Sequence, residues 1–390
     1  MSKQKIQLSD HFDYSRLLRF VLPCVGTMLF TSIYGIVDGL CVSNFVGKTA
    51  FAAVNLIMPV PMLVGSVGFM LGTGGSAIVG ITLGEGDREK ADRYFSLFVW
   101  TGLVAGLLLA VVGFFAVRPA ASLLGAKGEM LDYAVRYGRL LMACLPFFIL
   151  QNMFQSFFVT AENPHLGFAF TVAAGVTNMV LDVVLVGMLH GGVEGAAIAT
   201  FISQTVGGVL PVFYFLNKRS SSSIHLGRAQ WNGGVIRSAC INGSSELMTN
   251  LSMSLVNILY NYQLLRFAGE NGVAAYGVIM YAAFLFVAVF VGYAVGSAPI
   301  VSYHYGARNH AELNNLYSKS LRLIGVIAVV MTALSMLVIP YVARIFVGYD
   351  AELLALTSHA FRVYALNFFL MGFNVYGSSF FTALGDGVTS

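Results

Sequence analysis

Charged residues are scarce in this chain of 390 residues, since Asp, Glu, Lys and Arg together make up 10% of it. A typical soluble domain contains roughly 25%. Hydrophobic residues account for 57%, and the mean hydropathy is +0.77. This composition excludes an array of soluble domains and indicates an all-α polytopic membrane protein. The net charge of +4 is spread over the loops, so the expected contact is membrane lipid and not nucleic acid.

The sequence also lacks the signatures of soluble enzymes and of metal centres. Four cysteines stand singly in apolar surroundings, without C-x-x-C or metal-ligand spacing, and are predicted to be small buried side chains. No phosphate loop, zinc-protease motif or nucleophile elbow occurs. We therefore expect a protein that is not an enzyme and has no cofactor. The first apolar run is too long for a signal peptide and lacks a cleavage site, so it is retained as a span.

Charges and turn residues divide the chain into ten apolar stretches, each long enough to cross about 30 Å of hydrocarbon. Six prolines are predicted to kink their helices: Pro23, Pro59, Pro61, Pro146, Pro211 and Pro299. The predicted transmembrane helices are 17–46, 50–83, 94–117, 131–160, 166–189, 193–216, 235–267, 273–305, 316–347 and 355–384.

An internal repeat divides the chain into two halves. A shift of 222 positions places Gly47 on Gly269, Met58 on Met280 and Gly84 on Gly306, and 23 of the 117 pairs from 45/267 to 161/383 are identical. Under this shift, predicted loops of the first half align with predicted loops of the second half. The repeat predicts two six-helix bundles related by a pseudo-two-fold axis along the membrane normal. Residues 1–216 form the first lobe, the serine-rich stretch 217–234 a cytoplasmic linker, and residues 235–390 the second lobe.

The repeat also predicts that the second lobe lacks its last two helices. The counterpart of Leu216, which ends the sixth helix, would lie 48 positions beyond Ser390. We therefore expect either a fragment of a longer protein or a shortened variant. The fragment is favoured because residues 385–390 carry no stop signal of their own.

The distribution of basic residues predicts the orientation. Of the 22 Lys and Arg residues, fourteen lie on the side of the N-terminus and of the central loop, and eight on the other side. Because cytoplasmic loops carry the excess of basic residues, the N-terminus is expected in the cytoplasm. The protein is expected to be a monomer in the plasma membrane, which is the inner membrane in a two-membrane cell.

Acids and amides inside the apolar stretches are the candidate functional residues. Asp38 lies in the first predicted helix, and Asn178 and Asp182 share one face of the fifth. A carboxylate in the bilayer costs about 3 kcal/mol on insertion scales, so its presence needs a reason. Together with the Thr200 hydroxyl, these oxygens can bind a small alkali ion such as sodium or hold a proton. A structural hydrogen-bonded pair is the alternative.

Four further polar residues complete the candidate set. Glu246 follows two serines early in the seventh helix, where it is a candidate second proton or cation site, although a carboxylate there could also cap the helix. Gln204 and Gln263 add neutral oxygens as accessory residues. Glu162 is expected in a turn at the cytoplasmic mouth, as a further accessory residue.

Several stretches together resemble one known family. They are Asp38 in the first helix, the V-G-I-T-L-G-E-G-D run at 79–87, the A-E-N-P turn at 161–164, and Asn178 followed by Asp182. Their order and spacing are similar to the multidrug and toxic compound extrusion (MATE) family, and the resemblance covers essentially the whole chain.

The resemblance implies a two-lobed, twelve-helix exporter that moves organic cations and drugs outward in exchange for sodium ions or protons. The chain departs from this pattern because its last two helices are missing. Carried over by position, the ion site of the first lobe resembles Asp38, Asn178, Asp182 and Thr200, and the acid of the seventh helix resembles Glu246.

Two alternatives remain open at this point. A lipid-linked sugar flippase of the same fold would be expected to line its cavity with several Arg or Lys for phosphates, and basic residues in mid-helix are nearly absent. An intramembrane aspartyl protease could use Asp38 and Asp182 as its dyad. Such enzymes show a G-x-G-D pattern before the second acid, whereas Asp182 follows N-M-V-L.

Overall fold

The computed structural model describes residues 6–46, 48–348 and 350–390, and over these ranges it contains helices and turns but no strand. Gly47, which the repeat pairs with Gly269, lies outside these ranges. A π-helical segment, Asp182–Met188, continues α7. The α-helices are α1 (Tyr14–Phe45), α2 (Lys48–Ile57), α3 (Pro59–Gly84), α4 (Arg88–Leu123), α5 (Gly128–Ala143), α6 (Leu145–Thr160), α7 (Pro164–Leu181), α8 (Gly192–Leu216), α9 (Gly233–Gly306), α10 (His310–Val347), α11 (Ala351–Ala365) and α12 (Phe368–Ala383).

The described helices confirm an all-α protein with several membrane spans. Seven of them are long and apolar enough to cross a membrane, and the number rises to nine if each of two bent pairs forms one span. These pairs are α5 with α6, bent by 56°, and α11 with α12, bent by 46°. The long helix α9 contains a break at Gly269, whose φ of 61° is readily adopted by glycine.

The two halves repeat several details of local geometry. Gly86 and Arg308, which the shift of 222 superimposes, both have positive φ, at 88° and 55°. The next residues, Asp87 and Asn309, cap α4 and α10. The side-chain oxygen of each accepts a hydrogen bond from the backbone N–H of the residue three positions later. Helices α4 and α10 each begin six residues before the predicted start. The prediction followed apolar residues only, and the first turns of these helices are polar.

Proline explains only part of the bending. The chain breaks at Met58 before Pro59, and at Cys144 just before the Leu145-Pro146 pair. Helices α1, α8 and α9 continue through Pro23, Pro211 and Pro299, so these three predicted kinks interrupt no helix. Membrane helices tolerate proline because local adjustments satisfy the freed carbonyl groups. The bend between α11 and α12 contains no proline and occupies the same place in the repeat as the bend between α5 and α6.

Aromatic side chains form much of the core of the first half. The ring of Phe95 meets those of Phe157 and Phe215 edge-on, with centroids 4.8 and 4.9 Å apart, and Phe154 stacks on Phe215 at 5.6 Å. All four are buried. Such pairs contribute about 0.5–1.5 kcal/mol each beyond area burial, so this cluster holds α4, α6 and α8 together.

The helices before residue 217 meet those after residue 232 along one seam, where α1 and α3 contact α9. At the end of α3, a Cβ added to Gly84 would overlap the carbonyl oxygen of Tyr303, and one added to Gly306 would overlap that of Ile81. Backbones that approach so closely require glycine at the contact. The seam is therefore closed on the face where the N-terminal segment lies, which we call the N-terminal side.

The serine-rich stretch between α8 and α9 is docked on the first half. The backbone N–H of His225 donates to Asp92 Oδ1 at 2.8 Å, and that of Gly227 donates to Ser96 Oγ at 2.9 Å. Ile224 is fully buried. The composition of this stretch did not indicate the docking, because it depends on single side chains of α4.

Candidate functional site

Asp38 and Asp182, the acids predicted to act together, lie side by side. Asp38 is on α1 and is 9% exposed, whereas Asp182 directly follows α7 and is fully buried. Their carboxyl groups lie within electrostatic range of each other. Packing of α1 along α7 brings them together. Asp38 is seven residues from the end of α1, or about 10 Å along the axis, so the pair lies nearer the side opposite to the N-terminal side.

The backbone changes form at this point. Asp182 begins the π-helical segment Asp182–Met188, a type of turn that occurs often at functional sites. Neither carboxylate oxygen of Asp182, nor Oδ1 of Asp38, has a hydrogen-bond partner among the described residues. Because a buried polar atom without a partner is costly, these oxygens are suited to bind a proton or a cation.

Tyr137 is a member of this cluster that the sequence did not indicate. It lies on α5 and is fully buried, its hydroxyl lies within electrostatic range of both acids and near Thr200, and it has no hydrogen-bond partner among the described residues. The Thr200 hydroxyl donates to the carbonyl of Ala196, so its oxygen remains able to accept. With 18 tyrosines in the chain, no spacing or charge distinguished this one.

Two further side chains belong to the surroundings of the pair. Asn178 is 2% exposed and lies one helical turn before Asp182 on the same face of α7. The thiol of Cys41, a buried residue on α1, lies within electrostatic range of both acids. The sequence predicted Cys41 to be a small buried side chain, and the structure adds that it is buried near the acid pair.

Within the described ranges, no basic residue forms an ion pair with either acid. The ion pairs of these ranges lie elsewhere and are His11 with Glu312, Lys90 with Glu85, and Arg136 with Glu194. Two adjacent buried carboxylates repel each other. Two ionised carboxylates at this place would therefore destabilise the site, and a proton or a small cation between them would relieve the repulsion.

The other candidate residues lie away from the pair. Gln204 on α8 accepts a hydrogen bond from the thiol of Cys144 at 2.8 Å. Glu246 on α9 is partly buried, and Gln263, also on α9, is exposed. Glu162 lies on the N-terminal side in the turn between α6 and α7, at the opposite end of α7 from Asp182. Within the described ranges, no hydrogen bond or ion pair joins these four residues to the acid pair.

Two small cavities lie between the acid pair and the N-terminal side. Both are lined by Gln155, Phe158 and Gly167. Gly167 is 15 residues before Asp182, or roughly 22 Å along the helix. Neither lining contains Lys or Arg, in contrast to the basic lining expected for a phosphate-bearing lipid.

A helical protein with several membrane spans and two adjacent acids inside them has the features of a membrane transporter, because intramembrane ionisable residues mark ion and substrate pathways. The MatE family model matches residues 23–184 and 247–390 of this chain. The chain belongs to the MATE family of multidrug efflux transporters, which are transporters and not enzymes. The closeness of the two acids would also suit a protease dyad, but family membership decides against that alternative.

Relatives and solved structures agree with the family. The multidrug export protein MepA of Staphylococcus haemolyticus is 23% identical over 385 residues, which are 99% of this chain and 84% of MepA. MepA of Staphylococcus saprophyticus is 22% identical, over 96% of this chain and 82% of the relative. A crystal structure of a MATE protein in complex with MaL6 superimposes with a TM-score of 0.93 at 25% identity, covering all of this chain and 87% of that one.

Proposed function

We propose that this protein exports organic cations and drugs in exchange for sodium ions or protons, and that Asp38 and Asp182 bind the coupling ion. The observation that carries this proposal is the pair of adjacent buried carboxyl groups without a basic partner in the described ranges. Such a pair changes its charge whenever an ion is bound or released, which is what coupling requires.

The neutral oxygens around the pair complete the proposed site. The amide of Asn178 and the hydroxyls of Thr200 and Tyr137 are hard donors that suit a small alkali ion. The same oxygens can stabilise a shared proton through hydrogen bonds. Glu246 is a proposed second protonation or cation site in the other half, since it is an acid in an apolar part of α9.

The proposed architecture is ten spans arranged as two related bundles. Pairing α2 with α3, α5 with α6, α7 with the π-helical segment and α11 with α12, and dividing α9 at Gly269, produces ten spans. The matching turns at Gly86 and Arg308 and the matching bends of 56° and 46° support a repeat of one bundle. Both halves begin on the N-terminal side, so their relating axis would run along the membrane normal.

We place the N-terminal side in the cytoplasm of a cell whose plasma membrane holds the protein, because that side has the excess of basic residues. The acid pair then lies nearer the external side, and the seam is closed toward the cytoplasm. An ion entering from outside would reach the acids first. Occupation of the pair would favour a state with lower affinity for the drug, since two ligands that exclude one another must prefer different states.

Transport by reconstituted protein separates the two candidate ions. In proteoliposomes, we expect export of a fluorescent organic cation when either a sodium gradient or a pH gradient is imposed, and the gradient that drives it identifies the coupling ion. Liposomes without protein are the control for leakage. If neither gradient drives movement of the cation by protein that is correctly folded, the antiport proposal is wrong.

Replacement of Tyr137 by Phe tests the proposed ligand shell. Loss of one hydroxyl that contacts the bound ion removes roughly 1 kcal/mol, so the apparent affinity for the coupling ion should fall about fivefold. The measurement is the ion concentration that gives half-maximal transport. Tyr133→Phe, one turn earlier on α5 with its hydroxyl on the exposed Glu129, is the matched control and should leave that concentration unchanged.

A further inference from the structure

The segment before α1 crosses the seam and forms hydrogen bonds with both halves of the molecule. In the first half, the backbone N–H of Leu8 donates to Glu162 Oε1 at 2.8 Å. In the second half, the backbone N–H of Phe12 donates to Glu312 Oε1 at 2.9 Å, and the ring Nδ1 of His11 lies 2.6 Å from Glu312 Oε2. One short segment, residues 6–13, is therefore anchored by one acid on each side of the seam.

The second anchor is supported by further bonds to α10. The side chain of Asn315 donates to the carbonyl oxygen of Phe12 at 3.1 Å and to Glu312 Oε1 at 2.8 Å. The ammonium group of Lys319 donates to the same carbonyl oxygen at 2.7 Å and lies 5.5 Å from the ring centre of Tyr14. Glu312 is 6% exposed, so these bonds are largely shielded from water and are stronger than surface contacts.

The apolar side chains of the segment fill the seam itself. Leu8 and Phe12 are buried, at 1% and 0% exposure, in one cluster that contains Val159 of the first half and Leu316 of the second. The Phe12 ring also meets that of His304 on α9 edge-on, with centroids 6.5 Å apart. Separation of the two halves would pull these side chains out of an apolar environment, which costs free energy in proportion to the exposed area.

The backbones beneath the segment are in close contact. A Cβ added to Gly292 of α9 would lie 2.5 Å from the Cα of Val25 on α1, and one added to Gly296 would lie 3.0 Å from the Cγ1 of Val21. The segment therefore lies over the part of the seam where α1 and α9 touch. Opening of the N-terminal side requires these helices to part, and residues 6–13 cannot stay bound to Glu162 and to Glu312 while they do so.

We propose that residues 6–13 are a clamp that holds the N-terminal side closed, with Glu162 and Glu312 as its two positioning residues. The clamp sets the balance between the closed and the open state of that side, and its release is part of each transport cycle. This inference rests on the proposed transport function, but its test measures the conformation and requires no transport.

The experiment measures a distance across the seam by electron spin resonance in lipid nanodiscs. Spin labels are attached at His165→Cys on α7 and Asn314→Cys on α10, two exposed positions close to the two anchors. The native cysteines are buried or half-buried, and the chain without added cysteines, labelled in parallel, measures their background. We expect one dominant short distance in the labelled parent protein.

Removal of either anchor should populate a longer distance. Glu162→Ala should raise the ratio of open to closed protein about fivefold, the change expected when one net hydrogen bond is lost from one of two states. Glu312→Ala removes the bonds to both Phe12 and His11 and should raise the ratio at least as much. Glu162→Gln retains an acceptor oxygen and should restore the parent ratio. Glu89→Ala, an exposed acid on the N-terminal side of α4, is the matched control and should leave the ratio unchanged.

The double variant separates a clamp from two independent stabilising contacts. Because a clamp fails when either end is released, the variant that combines Glu162→Ala with Glu312→Ala should open no further than the stronger single variant. Unchanged distances in both single variants, with melting curves that match the parent, would overturn the proposal, and so would fully additive effects. Failure of drug export by the parent would instead contradict the proposed function and leave the measured distances valid.

Discussion

Replacement of Asp38 by Asn should reduce drug export to the level of empty vesicles, at least about tenfold below the parent protein. The amide resembles the carboxyl group in size but can neither release a proton nor supply negative charge to a cation. Asp182 would then lack the neighbour with which it shares the ion. The measurement is export of a fluorescent organic cation from energised vesicles that contain the full-length protein.

Asp182→Asn should have an equal effect, because the two carboxyl groups act as one site. Combining both substitutions should cost no more than either one alone, as is usual for groups that act together. Asp132→Asn, which changes an exposed acid on α5, is the matched control and should transport at the parent rate. Export at the parent rate by the Asp38→Asn variant would show that the coupling ion binds elsewhere.

Addition of a single methyl group at Gly84 should destabilise the protein strongly. In the Gly84→Ala variant, the new Cβ would overlap the carbonyl oxygen of Tyr303 and lie 2.8 Å from the backbone nitrogen of Ala307. Backbone atoms cannot rotate away as a side chain can, so α3 and α9 must move apart. Overpacking of this kind costs about 1–3 kcal/mol, and the melting temperature in detergent should fall by several degrees.

The chain offers a matched control for this change. Gly277 is also a helical glycine, but a Cβ added there meets no atom within 4 Å. Gly277→Ala should therefore leave the melting temperature unchanged or raise it slightly, since alanine favours a helix by up to about 1 kcal/mol relative to glycine. Equal melting temperatures for the two variants would mean that the closeness of α3 and α9 at Gly84 does not contribute to stability.

Much of the fold could be predicted because hydrophobicity and chain length act locally. A predominantly apolar stretch of about 20 residues or more indicates a span, and a proline or glycine marks where a span breaks, as at Pro59 and Gly269. The repeat also anticipated that the turns at Gly86 and Arg308 would be equivalent. The bend between α11 and α12, which has no proline, could not be read from residue type, because it results from how the second half packs.

The candidate site was only partly predictable for a related reason. Two acids in apolar stretches were conspicuous, since their cost in the bilayer demands an explanation, and the structure brings them close together. Tyr137 and Cys41 were not distinguished from other buried side chains of their kind. Their place beside Asp38 and Asp182 depends on how α1, α5 and α7 pack, which residue type alone does not specify.

The sequence by itself determined that this chain lies in a membrane and roughly which stretches span it. It also singled out the acids inside those stretches. Both follow because the free energy of transfer into lipid depends on composition and on short-range spacing. The tertiary structure alone decided which distant residues meet. Leu8 binds Glu162 over 154 positions and Phe12 binds Glu312 over 300, and such contacts form only once the helices of both halves have packed and closed the seam between them.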